Sequence, residues 1–127
     1  MNKTTEAFDN GSLRLPDRKT DFGSVPWSKA AFDGVELKHL VTGKDTNGQF
    51  SYHLVRIAPG KEIGMHTHPA QWETHEIIEG AGVCINNGVR LPYAPGTISI
   101  FPSGIMHSVR ADEEGLLLLA KFIPALC

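Results

Sequence analysis

Gly60-Lys-Glu-Ile-Gly-Met-His66-Thr-His68-Pro69-Ala-Gln71-Trp72-Glu73-Thr-His75-Glu-Ile-Ile-Glu-Gly80 is the stretch that decides how this chain is read. Three of the six histidines of the chain fall between positions 66 and 75, with Glu73 among them. Side chains of an extended segment alternate sides with period two, so His66 and His68 share one face of a strand. Glu73 and His75 repeat that relation a few residues later. Pro69 and the residues after it supply the reversal between the two runs. The pattern predicts a hairpin that aims two imidazoles and a carboxylate into one volume, which is a metal-ligand set.

A second stretch belongs with the first. Gly96-Thr-Ile-Ser-Ile-Phe101-Pro102-Ser-Gly104-Ile-Met106-His107 reads as a short apolar strand, a Pro-x-Gly turn, and a histidine that opens another extended run. Together the two resemble the paired motifs of the cupins. Gly60, His66, His68, Glu73 and Gly80 meet every spacing of the first cupin motif, and Gly96, Pro102, Gly104 and His107 meet the second, with Ala111 where Asn is usual. The resemblance implies an all-β fold, the double-stranded β-helix or jelly-roll barrel. It implies that His66, His68, Glu73 and His107 are metal ligands, while the position held by Ala111 is not one in that family. The implied cofactor is a divalent metal ion such as Fe, Mn, Zn or Ni, for which imidazole and carboxylate are suitable donors. The activities it implies are dioxygenase, isomerase, lyase or decarboxylase chemistry on small organic molecules. Binding or sensing of a small molecule without turnover stands as the alternative, and the resemblance also points to a homodimer.

The flanking sequence agrees with a small barrel. Val35–Val41, Phe50–Ile57, Ile63–His68, Glu73–Ile78, Gly82–Ile85, Val89–Leu91, Thr97–Phe101, His107–Arg110 and Leu116–Ile123 read as short strands punctuated by Gly, Pro and Asn. Asn86-Asn87-Gly88 is a tight hairpin turn, because these residues tolerate positive φ. Residues 1–30 are polar and show no period, so they read as an irregular N-terminal arm before a barrel domain over 31–127. Within it, Trp27 and neighbouring Phe32 either pack the arm onto the barrel or dock on a partner subunit.

Composition narrows the classes. A net charge of −2 without a basic run gives no reason to expect nucleic acid as a partner. The longest apolar stretch, 115–126, is broken by Lys121 and Pro124 and is too short for a bilayer span. Residues 1–10 lack the apolar core of a signal peptide, and Cys84 and Cys127 form no disulfide framework. A cytoplasmic protein with a small-molecule ligand or substrate is the expectation.

Further residues carry open readings. His75 shares a face with Glu73, so it hydrogen-bonds a ligand, replaces Glu73 as ligand, or serves as a catalytic proton carrier. His53 and Arg56 lie on opposite faces of one strand, so only one of them faces the cavity. Tyr52, Phe101, Met106 and Phe122 are candidates for the cavity wall, and Gln71 and Trp72 for its mouth. His39 and Cys84 are read as structural.

Overall fold

In the computed structural model, which describes residues 2–127, the chain forms twelve elements in this order. They are α1 (Lys3–Asn10), β1 (Ser12–Arg14), β2 (Lys19–Asp21), β3 (Ser28–Lys29), β4 (Val35–Val41), α2 (Gly43–Thr46), β5 (Ser51–Ile57), β6 (Glu62–His66), β7 (Trp72–Asn86), β8 (Val89–Tyr93), β9 (Ile98–Phe101) and β10 (His107–Ile123). A single turn of 3₁₀-helix covers Phe22–Ser24.

The architecture is an antiparallel jelly roll, as the two motifs imply. Its frame is β7 and β10, which pair along nearly their whole length and belong to two sheets at once. In one sheet, Leu116–Phe122 of β10 lies between β5 and the first half of β7, with β4 beyond β5 and β9 beyond β7. In the other, His107 to Arg110 lies between β6 and the second half of β7, with β8 outside. The crossing point is a register shift between Ala111 and Leu116, opposite Gly80–Gly82. A side chain at Gly82 would sit 2.2 Å from the Arg110 carbonyl oxygen, so the two backbones approach where the sheet folds over.

This crossing corrects the segmentation expected above. Glu73–Ile78 and Gly82–Ile85 are one strand, and so are His107–Arg110 and Leu116–Ile123. Gly80 and Gly115 have positive φ, which looks like a turn in sequence but here makes bulges inside continuous ladders. The hairpin expected between His66 and Glu73 is also corrected. Among the described residues β6 and β7 share no ladder: β6 pairs with the first half of β10, and the half of β7 that carries Glu73 pairs with the second half of β10. The reversal around Pro69 carries the chain from one sheet to the facing one. The Asn86-Asn87-Gly88 hairpin forms as expected, with Asn87 and Gly88 at positive φ and Asn86 paired to Val89.

Two apolar layers follow from this topology. Between the sheets lie Val55, Ile57, Ile77, Phe101, Val109, Leu118 and Phe122. A second cluster, Leu40, Leu54, Leu117 and Leu119 with Phe22, covers the outer face of β4, β5 and β10. The segment before β4 closes that layer, so it is not wholly irregular. Asn2 caps α1 by accepting the Thr5 N–H at 2.9 Å, which satisfies one of the free donors of the first turn. Lys38, only 3% exposed, pairs with Asp9 of α1 at 2.6 Å. Trp27 donates its indole N–H to Asp9 and lies 4.0 Å beneath the Arg56 guanidinium. Trp27 and Phe32 therefore pack this segment onto the barrel.

Candidate metal centre

His66 ends β6 and His107 begins β10, and the two are register partners with ring centroids 4.3 Å apart. His68 follows two residues later. Its carbonyl accepts the Gly104 N–H at 3.0 Å, so the Pro102-x-Gly104 turn of the second motif fixes the chain of the first. Gly104 has φ +82°, which glycine adopts without cost and other residues resist. Glu73 comes from β7 in the opposite sheet, beside Phe101 of β9 and Phe122 of β10. One donor atom from each of His66, His68, Glu73 and His107 lies within 4.8 Å of the others, inside the barrel. The four residues that the sequence singles out as ligands are therefore brought together.

The hydrogen bonds say which nitrogens face the centre. His66 Nδ1 lies 2.8 Å from the Gly64 carbonyl, and His107 Nδ1 lies 2.9 Å from the Ile105 carbonyl. A carbonyl only accepts, so both Nδ1 atoms carry the hydrogen. Nε2 of each ring is therefore the nitrogen turned inward, and it offers a lone pair whenever it carries no proton. Backbone acceptors of this kind commonly fix the tautomer of metal-bound histidines.

Glu73 is 5% exposed and accepts at both oxygens, from His107 Nε2 at 2.9 Å and from His75 Nε2 at 2.8 Å. Burial alone would raise its pKa, but the electrostatic attraction of the His75 ring and the hydrogen bonds from His107 and His75 outweigh it. The carboxyl is held well below its usual range. His107 shows the reciprocal effect: burial disfavours its charged form, yet the Glu73 hydrogen bond and the bond to Ile105 raise its pKa. With Nδ1 committed to Ile105, the Nε2–Glu73 contact needs a positive species between nitrogen and oxygen. A proton fills that place here, and a bound cation fits it equally well. Burial lowers His66 and His68, so their lone pairs are free at neutral pH. The donor set thus fits a divalent ion of borderline softness.

His75 is 2% exposed and stands behind Glu73. Its Nε2–H donates to the carboxylate, so Nδ1 is an acceptor, and the Tyr93 hydroxyl lies 2.9 Å from it. Burial holds the Tyr93 phenol far above its ordinary range, so it keeps its proton and donates. The chain Tyr93–His75–Glu73 therefore orients one carboxylate oxygen. Tyr93 was not a candidate on sequence grounds. It lies on β8, whose register is set by the Asn87-Gly88 turn, and only the folded barrel brings it to His75. Outer partners of this kind typically contribute 10–100-fold to metal affinity. His75→Ala is expected to weaken metal binding by about that range and Tyr93→Phe by less, measured by competition with a chelator. Unchanged affinity in both would break the proposed chain.

A cavity of about 150 Å³ opens beside these residues. Phe32, Val55, Ile63 and Phe122 form apolar wall, with His66, His68, Glu73 and His75 at one side. His53 faces the interior and is fully buried, while Arg56 faces outward and pairs with Glu36 at 2.9 Å. His53 nevertheless stays off the cavity, stacked edge-on against Phe122. Its burial and the charge of neighbouring His39 lower its pKa to about 4. Phe101 stacks on the His107 ring at 4.1 Å. Met106 is about half exposed, and Tyr52 packs in the outer cluster, so neither lines the cavity. Trp72 is also half exposed, and Gln71 reaches the Ala125 carbonyl at 3.5 Å; neither lines the cavity.

Comparison with known proteins agrees with this geometry. The family model described as the cupin domain matches residues 53–120. An oxalate-binding protein of Thermotoga maritima is 29% identical over 76 residues, which cover 59% of this chain and 63% of that protein. A quercetin 2,3-dioxygenase of Bacillus subtilis is 26% identical over 119 residues, covering 88% of this chain and 34% of the relative. The matched stretches thus span less than two thirds of either relative's length. The crystal structure of a predicted oxalate decarboxylase from Thermotoga maritima superposes with a TM-score of 0.74 at 25% identity, over 80% of this chain and 95% of that one. Among the described residues no helix is long and apolar enough to cross a membrane.

Proposed function

This chain belongs to the cupin family, and on that premise we propose that it is a metal-dependent enzyme acting on a small organic molecule. His66, His68, Glu73 and His107 are the metal ligands in this reading. The observation that carries it is the convergence of three inward-turned imidazoles and a buried carboxylate at the wall of an apolar cavity. A divalent ion held there supplies Lewis acidity, and oxygen chemistry if it is iron.

The chain's own residues define what such a substrate is. The cavity volume of about 150 Å³ equals roughly five water volumes at about 30 Å³ each, which fits a small carboxylic acid or a small carbonyl compound. The wall offers no arginine or lysine among the described residues, so an anionic substrate finds its counter-charge at the ligand cluster. Phe32, Phe122 and Val55 exclude water around it. The oxalate-binding relative supports a small acid as the class.

One observation favours a second reading, binding without turnover. Apart from His66, His68, Glu73 and His75, the cavity wall among the described residues is apolar, and both nitrogens of His75 are engaged. The test is metal analysis of untagged protein, then oxygen uptake and product analysis against small acids, phenols and diketones. Turnover that follows metal content supports the enzyme. Saturable binding with no product, across the panel and the metals, replaces it with the binding reading.

The pH dependence has a definite sign. Glu73 stays ionised because its pKa is lowered, and His66 and His68 are neutral at pH 7 because theirs are lowered too. His107 is raised, so of the three imidazoles it is the one that keeps its proton to the highest pH. Metal affinity should therefore rise with pH until His107 loses its proton unaided. It should collapse in acid as protons take all three imidazoles. Calorimetry in buffers of different ionisation enthalpy should show proton release on metal binding that shrinks as pH rises. Release that does not shrink would contradict the raised pKa of His107.

We further propose a homodimer. Trp72, Ile98, Ile100 and Ile123 are half or more exposed on neighbouring strands β7, β9 and β10. A second copy across a two-fold axis would cover them. Sedimentation should show a dimer at micromolar concentration that Ile98→Asp dissociates; a monomeric wild type rules it out.

A further inference from the structure

A second cluster of metal-binding donors lies outside the barrel cavity. His39 and His53 are register partners on β4 and β5, and their rings meet edge to face with Nδ1 atoms 2.7 Å apart. The Cys127 sulfur lies 3.8 Å from His39 Nδ1. One donor atom from each of the three lies within 4.8 Å of the others. Phe122 stands between this group and the barrel centre, touching His53 on one side and His68 on the other.

The arrangement is built. Ser51 Oγ lies 2.7 Å from His53 Nε2 and accepts the Leu126 N–H at 2.8 Å. The Gly43 N–H donates to the Cys127 carbonyl, and the Ala125 N–H to the Gly48 carbonyl. These bonds fix the backbone on both sides of the thiol. A hydrogen bond between the imidazoles satisfies one pair of nitrogens, but His39 Nδ1 has the Cys127 sulfur as a second polar neighbour. We infer that His39, His53 and Cys127 form a second metal site, selective for a borderline-to-soft cation of the zinc(II) or copper(I) class. Two imidazoles and a thiolate are the donors such ions prefer.

The proton balance is simple. With both rings in their neutral form, the one carrying its hydrogen on Nδ1 moves it to Nε2 when both Nδ1 atoms bind. For His53 that hydrogen then points to Ser51 Oγ, an outer partner of the kind that orients metal-bound histidine. The thiol loses one proton to solvent. The nitrogens separate to about 3.3 Å, the spacing that two bonds of about 2.0–2.1 Å make at a tetrahedral ion. Cys127 is exposed, so water completes the coordination.

The test is titration of the untagged, metal-stripped full chain with Co²⁺, followed by Zn²⁺ competition. Two equivalents are expected, one of them with a thiolate-to-cobalt charge-transfer band that Zn²⁺ abolishes. Cys127→Ser should bind one equivalent and show no band. His66→Ala with His68→Ala should keep the band and lose the other equivalent. A wild type without the band, or a Cys127→Ser chain that still takes two equivalents, overturns the inference. The barrel reading fails separately, if the double histidine variant keeps both equivalents.

Discussion

His66→Ala combined with His68→Ala should abolish metal binding in the barrel. Each substitution deletes a nitrogen donor whose orientation the fold has already fixed, through Gly64 for His66 and through Gly104 for the chain at His68. What remains is Glu73 and His107, already joined to each other at 2.9 Å. Two donors do not organise a four-ligand site, so the loss should exceed the roughly 10–100-fold that outer partners cause. Glu73→Gln should weaken binding less, because an oxygen donor stays while the compensating charge goes. The fold should survive, since His66 and His68 are only half-buried. The measurement is metal content after dialysis in a Cys127→Ser background, so that only the barrel site is counted. Full retention there would place the metal elsewhere and take the proposed function with it.

The site was legible in the sequence because its geometry is local. Period-two spacing puts His66 with His68 and Glu73 with His75, and the second motif places His107 after a Pro-x-Gly turn. Other features depend on contacts that no local pattern encodes. Gly80 and the run Asp112-Glu-Glu-Gly115 look like turns, yet β7 and β10 pass through them as bulges. The α1 segment has no strong period of its own, and the buried Lys38–Asp9 pair that seats it spans 29 residues. The outer cover of β10 does leave a local mark. Leu116-Leu-Leu-Leu119 is apolar at every position, which marks a strand covered on both faces. Leu116 and Leu118 face the interior, while Leu117 and Leu119 need an outer cover, and the N-terminal segment provides it. The second donor cluster was hidden for a similar reason. His39, His53 and Cys127 carry no motif spacing, and the strand register alone brings the histidines together.

Gly80→Ala should destabilise the whole protein, and the reason lies where the two sheets share their strands. Gly80 has φ +86°, a conformation that costs an alanine about 1–2 kcal/mol. A Cβ there would also lie 2.1 Å from the Gly115 carbonyl oxygen and 2.9 Å from its carbon. Those atoms are backbone inside a bulged ladder, so they move only if β10 shifts against β7. The combined cost should be roughly 3–5 kcal/mol, a large part of the about 5–15 kcal/mol that holds a domain folded. Gly48→Ala separates the two causes. Gly48 has φ +76° but nothing within 4 Å of the added carbon, so it bears the conformational cost without the overlap. Urea unfolding of the metal-free variants should therefore show a much larger drop in midpoint for Gly80→Ala than for Gly48→Ala. Equal drops would mean that the Gly115 carbonyl yields freely and that the bulge is soft. Glu73 and His75 sit on the half of β7 that Gly80 anchors, and His107 on the half of β10 beyond the shift. Any Gly80→Ala protein that stays folded should then bind metal more weakly, because the shift that relieves the clash moves those two halves relative to each other.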